Sequence, residues 1–297
     1  MKLSPILLFT YKRLDQTRLT VEALQRNHLS NESELYIFSD GPATDADAEK
    51  VQGVREYLKT VGGFKKTTIK MADRNLGLAN SIIGGVTELI DIYGKVIVLE
   101  DDLVTSSNFL AFCNQALSHY KADPQVFSIS GYTRPISGLK DNGVYFTSRA
   151  SSWGWASWKE KWNEVDWAVK DYAGFSLDGR ARRAFNKMGS DMAGMLDKQM
   201  RGELDSWAIR WCYHQFRKNY VTVFPATSKI RNIGFTENAS NTTNRFNSFR
   251  TDLDESGNQS FEFSKNFSLD KAIIREFTKP YWLSERIKNK VLNAIFA

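Results

Sequence analysis

Cysteine is scarce here: Cys113 and Cys212 are the only two in 297 residues. Two cysteines cannot supply the two Cys-X-X-Cys pairs of a zinc site and do not suggest a disulfide framework in a chain this long. Both sit in apolar, helix-period surroundings, where a free thiol behaves as a small hydrophobe. Long apolar runs are missing too, and none approaches the roughly 18 residues that a membrane span needs. The opening MKLSPILLFTYKR has too short an apolar segment, and no small-residue cleavage site, for a signal peptide. The expectation is a cytoplasmic, reduced protein, in which the Asn-X-Ser/Thr triplets at Asn31, Asn238 and Asn241 carry no weight. No dense Lys/Arg block appears either, which sets nucleic acid aside as a partner. A net charge of +6 still fits an anionic membrane surface or a phosphorylated substrate.

What is present is a chain long enough for one large α/β domain or two smaller ones, with 42% hydrophobic and 25% charged residues. Its centre is GKVIVLEDDLVTSSNF, where the apolar run Val96 to Leu99 ends abruptly in Glu100, Asp101 and Asp102. Such a run reads as a buried strand whose C-terminal tip presents carboxylates, and ligands of open α/β sheets bind at that tip. Three adjacent acids repel one another, so a hard cation such as Mg²⁺ or Mn²⁺ suits them. A solvated acidic turn, or acids facing the dipole of a helix that starts near Asn108, is the plainer alternative.

Upstream, strands and helices alternate. Pro5 to Thr10 reads as a strand, Asp15 to Gln25 as a helix with Asp15 as N-cap, and Glu34 to Ser39 as a strand ending at Asp40. Val51, Val54, Leu58 and Val61 repeat at helical spacing, Thr67 to Met71 is a third strand, and Leu78 to about Ile92 is a helix. This alternation predicts a mainly parallel sheet with right-handed crossovers. Asp40, the Asp73 to Gly77 turn and the acidic triplet would then share one sheet edge.

Downstream, a helix is expected over Asn108 to Lys121 and strands over Val126 to Ser130 and Val144 to Thr147. Trp153, Trp155, Trp158 and Trp162 then fall within ten residues. They are either core or, with Gly154 allowing close backbone approach, a platform for a saccharide. Asp166 to Gly202 has weak periodicity and reads as mobile helical or loop material. A helix starts near Asp205, which is either its N-cap or, with Glu203, the best-placed general base beside aromatic residues. Val221 to Phe224 is a strand, and a polar loop follows with Arg231, Asn232 and Gly234. Near the end, Leu283, Ile287, Val291 and Ile295 recur every four residues, with Arg286, Lys288 and Lys290 outside the stripe. That basic amphipathic helix either docks on its own domain, the favoured expectation, or lies on an anionic membrane.

PILLFTYKR, YIFSDGP, NLGLANSII and IVLEDDLVTSSNFLAF resemble the nucleotide-sugar half of GT-A glycosyltransferases. The look-alikes are the N-acetylglucosaminyltransferase I type and the bacterial inverting glycosyltransferases of family 2. Glu-Asp-Asp stands as a variant of the DXD motif, and WGWASW and LDSWAIRW match in kind and order. The resemblance implies a Rossmann-like GT-A α/β fold with a C-terminal helical extension. It divides the chain into a nucleotide-sugar-binding half (1–130), an acceptor-binding and catalytic half (131–240) and the extension (241–297). It also implies a peripheral enzyme of bacterial polysaccharide or glycoconjugate synthesis that moves a hexosyl or N-acetylhexosaminyl group from a UDP-sugar to a glycan or lipid-linked acceptor.

Carried over residue by residue, Tyr11, Arg13 and Asp40 would hold uracil and ribose, Thr10 would touch the donor, and Arg74 and Asn75 would lie near the nucleotide or diphosphate. Asp101 would face the ribose or donor sugar and Glu100 would touch the donor sugar, Asp102 would bind Mn²⁺ or Mg²⁺, and Trp153, Gly154 and Trp155 would help floor the donor or acceptor pocket. Asp205 would be the catalytic base, with Glu203, Arg231 and Asn232 in secondary roles. One departure matters: many GT-A enzymes add a C-terminal His ligand, yet the chain holds only His28, His119 and His214. Arg231 would otherwise share the charge work. Two alternatives stay open. A nucleotidyltransferase would prefer a Gly-rich loop where FTYKRLDQT has no glycine, and an inert carbohydrate-binding protein would use the tryptophans alone.

Overall fold

A computed structural model describes residues 2–234, 249 and 251–295; the expectations for Phe235, Asn238 and Asn241 lie outside them. The first half alternates β1 (Ile6–Thr10), α1 (Leu14–Gln25), β2 (Glu34–Ser39), α2 (Asp45–Leu58), β3 (Lys66–Met71), α3 (Leu78–Tyr93) and β4 (Lys95–Glu100). Next come β5 (Leu103–Thr105), α4 (Phe109–His119), β6 (Val126–Ser130), β7 (Val144–Thr147) and β8 (Trp155–Trp158). Short helices follow: α5 (Lys159–Asn163), α6 (Tyr172–Leu177), α7 (Gly179–Phe185) and α8 (Met192–Met200). The chain continues through α9 (Trp207–Lys218), β9 (Val221–Pro225), β10 (Ile230–Asn232), α10 (Lys271–Thr278) and α11 (Leu283–Ile295).

Eight strands form one sheet in the order β3-β2-β1-β4-β8-β6-β9-β7. The first four are mutually parallel, as the alternation predicts, and β8 runs antiparallel between β4 and β6. Because side chains alternate along a strand, β1 feeds both faces. Ile6 and Leu8 pack with α1, α2 and α4, while Leu7 and Phe9 pack with α3 and α9. A strand covered on both sides favours apolar side chains on both faces, which is why Ile6 to Phe9 is uninterrupted.

Several expectations change. Asp15 lies inside the first turn of α1, and Arg13 occupies the N-cap position without a side-chain cap. The weakly periodic Asp166 to Gly202 stretch is a set of short packed helices whose Phe175, Phe185, Met192 and Leu196 are buried. Each helix contributes only one to three core residues, too few to leave a periodic signature. Of the tryptophan-rich run, Trp155 and Trp158 lie in the inner strand β8, Trp153 precedes it and Trp162 lies in α5. The C-terminal extension docks through residues 251–281, but the expected docking of α11 by its stripe is not seen. Leu283, Ile287 and Val291 stay exposed.

A buried ion pair anchors that extension. Lys229 Nζ meets Asp254 Oδ2, and Asn108 Nδ2 donates to the same carboxylate oxygen at 2.9 Å and to Asn258 O at 2.8 Å. Phe261 and Phe263 complete the contact on the Phe112 ring, with centroids at 5.2 and 6.0 Å.

Candidate active site

Strand β4 ends where buried apolar backbone gives way to the acidic turn, and that turn floors a cavity of about 1230 Å³. Glu100, Asp101 and Asp102 line it together with Thr10, Tyr11, Arg13, Asp40, Asn75, Trp153, Asp205 and Asn232. The acids are not a solvated turn. Asp101 is 4% exposed, its Oδ2 accepts from Tyr11 N at 3.3 Å, and its carbonyl accepts from Thr20 Oγ1 at 2.9 Å. One Arg13 guanidinium nitrogen lies 2.8 Å from Asp101 Oδ1 and 3.1 Å from Asp102 Oδ2. Burial, then the charges of Asp102 and Asp101, push the Glu100 carboxyl up to about 8. Burial raises Asp101 to about 6 against the pull of Arg13, and Asp102 is raised for the same reason.

The loop after β10 backs Asp102. Ile233 N donates to Asp102 O at 2.8 Å, and Gly234 N donates to Asn232 Oδ1 at 2.7 Å. A Cβ on Gly234 would fall 2.1 Å from Asp102 Oδ2, so only glycine leaves that carboxylate its place.

Asp40 is spent on the backbone. Its Oδ1 accepts from Gly41 N and Leu76 N, both at 2.9 Å, and its Oδ2 accepts from Gly77 N at 3.2 Å. Asn75 Nδ2 donates to Gly41 O at 2.9 Å. Gly41 is required because a Cβ there would meet the Arg74 carbonyl carbon at 2.4 Å. Asp40 and Asn75 thus buckle the turn before α3 onto the tip of β2 and present Leu76 and Gly77 to the cavity. Arg74 is exposed and lines no part of it.

Asp205 does not cap α9. Ser206 does, accepting from Ile209 N at 3.3 Å, and the Asp205 carboxylate instead borders the cavity beside Gly77. A Cβ built on Gly77 would lie 3.5 Å from Asp205 Oδ2, and Gly77 holds φ +77°. Glu203 also lines the cavity but is tied to Arg201 at 2.6 Å. Arg231 is exposed on β10 and lies outside the cavity lining.

The tryptophans separate. Trp155 is 1% exposed and packs on Trp211, Trp207 and Trp162 at centroid distances of 4.4, 5.2 and 5.5 Å. It is core, not pocket floor, because antiparallel pairing turns it onto the α9 face. Gly154 holds φ +58° to let Ile230 approach, where a Cβ would sit 2.5 Å from that side chain; it accommodates packing rather than a ligand. Trp158 and Trp162 are buried as well, so this run presents no platform of clustered tryptophans. Trp153 alone of that run borders the large cavity and a second, smaller one of about 230 Å³.

Sequence reasoning overlooked Ser81. Its Oγ and Thr10 Oγ1 are buried, have no hydrogen-bond partner among the described residues, and belong to cavity-lining residues. Unpaired buried hydroxyls are costly and point to a polar occupant. The clue was NLGLANSII, where Ser81 follows Gly77 by one helical turn.

The three carboxyls of the tip outnumber the one guanidinium beside them, which leaves negative charge that attracts a cation. No group of three or more His, Cys, Asp or Glu side chains among the described residues could hold a metal ion. A hard cation at this tip would take at most one or two protein carboxylates, with Asp102 the candidate, and would need its other ligands from water or a phosphorylated ligand.

No protein-family model matches the sequence, and no curated protein matches it. Among solved structures, the mannosyltransferase PcManGT from Pyrobaculum calidifontis, in complex with GDP-Man and Mn²⁺, aligns at 13% identity and TM-score 0.38 over 53% of this chain and 45% of its own. TarS of S. aureus aligns at 14% and 0.33 over 47% and 23%. Apo GlyE of Streptococcus pneumoniae TIGR4 aligns at 11% and 0.34 over 74% and 44%. This chain spans less than half the length of each, and likenesses this remote carry no functional weight.

Proposed function

We propose that this protein transfers a glycosyl group from a nucleotide sugar, a UDP-sugar in particular, to a hydroxyl of a glycan or lipid-linked acceptor. The observation that supports it is the joining, in one cavity, of the buried acidic tip of β4 and an uncapped carboxylate, Asp205, beside the turn that precedes α3. At about 1230 Å³ the cavity exceeds what one small ligand fills, leaving space for donor and acceptor together.

In this reading residues 1–130 bind the donor and residues 131–240 supply the base and the acceptor wall. Thr10 and Ser81 offer their unpaired hydroxyls to the nucleotide sugar, and the Leu76–Gly77 backbone held by Asp40 shapes the donor wall. Asp102 holds the cation, which when bound offsets charge developing on the departing diphosphate. Arg13 keeps Asp101 and Asp102 aligned. Asp205 accepts the proton from the acceptor hydroxyl as that oxygen attacks the anomeric carbon. Attack opposite the departing diphosphate inverts that carbon.

Release of UDP from UDP-sugars, with and without Mn²⁺, tests the reading. Transferase chemistry requires Asp102→Asn to collapse both hydrolysis and transfer. Glycan binding that persists in this variant, with no turnover in the wild type, would indicate a carbohydrate-binding protein instead.

A further inference from the structure

Eleven large apolar side chains are exposed on the described surface. Met71, Leu76 and Leu78 line the large cavity, while Leu19, Ile92, Leu177 and Leu269 stand apart in sequence. The other four, Trp282, Leu283, Ile287 and Val291, fall within residues 282–291. Single exposed apolar residues are ordinary, whereas a contiguous set marks a docking surface.

Their spacing makes the set contiguous. Leu283, Ile287 and Val291 recur every four residues and so stand on one face of α11, exposed by 61, 53 and 50%. The chain just before them is well seated: Phe277 and Pro280 are buried, Ser190 N donates to Tyr281 O at 3.2 Å, and Arg149 stacks 3.7 Å from the Tyr281 ring centroid. Beyond Trp282, Arg286 Nη1 ties the helix to Ser190 Oγ at 3.2 Å, and the apolar face points away from the body. The helix carries Arg286, Lys288 and Lys290 against one acid, Glu285, and exposed Lys279 precedes it.

We propose that α11 is a surface anchor for an anionic lipid bilayer, with its aliphatic stripe in the interface, Trp282 at its border and the exposed Lys279 and Lys288 side chains among the headgroups. Charge selects this occupant over a second copy of the chain. Two such helices face to face would oppose like charges, and four part-exposed side chains fall well short of the roughly 800 Å² per partner of a stable interface. The helix lies on the bilayer and does not cross it, since 13 residues span about 20 Å and several are charged. The anchor stands independently of the glycosyl-transfer reading.

Co-sedimentation of the full chain with vesicles tests it, comparing phosphatidylcholine alone with phosphatidylcholine holding about a third phosphatidylglycerol. The wild type should bind the anionic vesicles at least about tenfold better, and the preference should fade at high salt. An Ile287→Asp/Val291→Asp variant should lose binding while its melting temperature is kept. Lys279→Gln/Lys288→Gln should lose the anionic preference, and its exposed positions leave the fold undisturbed. Three outcomes would overturn the proposal: wild type that does not sediment with anionic vesicles, an aspartate variant that binds as well as wild type, or a dimer that the aspartates dissociate while vesicle binding is absent.

Discussion

The Arg13 guanidinium bridges the two carboxylates that follow β4, at 2.8 Å from Asp101 Oδ1 and 3.1 Å from Asp102 Oδ2. It is the built-in counter-charge of the acidic tip, so a cation bound by Asp102 would compete with it for that carboxylate. Arg13→Gln is expected to tighten Mn²⁺ binding, read by electron paramagnetic resonance titration without nucleotide. The same variant should melt at lower temperature, because two buried acids lose their partner. Unchanged Mn²⁺ affinity would detach Arg13 from the cation site.

Gly234 and Asp102 are 132 positions apart, yet they share one spot. In Gly234→Ala the new methyl falls where Asp102 Oδ2 now sits, so the carboxylate must swing away from Arg13. The expected outcome is a loss of Mn²⁺-dependent nucleotide binding by calorimetry, with far-ultraviolet circular dichroism unchanged. Wild-type affinity in this variant would show that the carboxylate can move at no cost.

Asp205→Asn separates binding from chemistry. Nucleotide affinity should stay near wild type, while turnover falls by about 10² to 10⁴, the usual contribution of a general base. Wild-type turnover would leave Asp205 without a chemical role, since Ser206 already caps α9.

Acid should loosen the C-terminal extension first. Burial alone would raise the Asp254 carboxyl, but hydrogen bonds from Asn108, Lys229 and Ser256 hold it at about 2. A folded-state value below the unfolded value of about 3.9 stabilises above that pH and is lost as pH falls through about 2. The contribution is about 2 to 3 kcal/mol at neutral pH. Hydrogen exchange between pH 4 and 2 should therefore show Asn258 to Phe263 opening before β1 and β4. Simultaneous opening would contradict it.

Much of this was legible in the sequence, for identifiable reasons. Strands β1, β2 and β4 announce themselves because Val/Ile/Leu runs stop at charged or glycine-bearing turns. The right-handed crossover rule then places Asp40 and Asp102 on one edge without any contact being known. Which face of β8 Trp155 occupies was not legible, since it depends on pairing with β4 and β6, strands far away in sequence. Nor was the freeing of Asp205, because Asp205 and Ser206 are equally good caps on paper. Gly234 stood out only as a glycine in a polar loop, since its need is set by a carboxylate from another element.

The central claim, that the acidic cavity binds a nucleoside diphosphate through a cation at Asp102, is tested most directly by thermal shift. UDP, GDP, CDP and TDP are each added with and without Mn²⁺ to the wild type and to Asp102→Asn. The account predicts that UDP with Mn²⁺ raises the melting temperature by about 4 °C at ~100-fold excess over Kd, and that Asp102→Asn abolishes the Mn²⁺-dependent part. No shift with any nucleoside diphosphate, or an equal shift in Asp102→Asn, would contradict it.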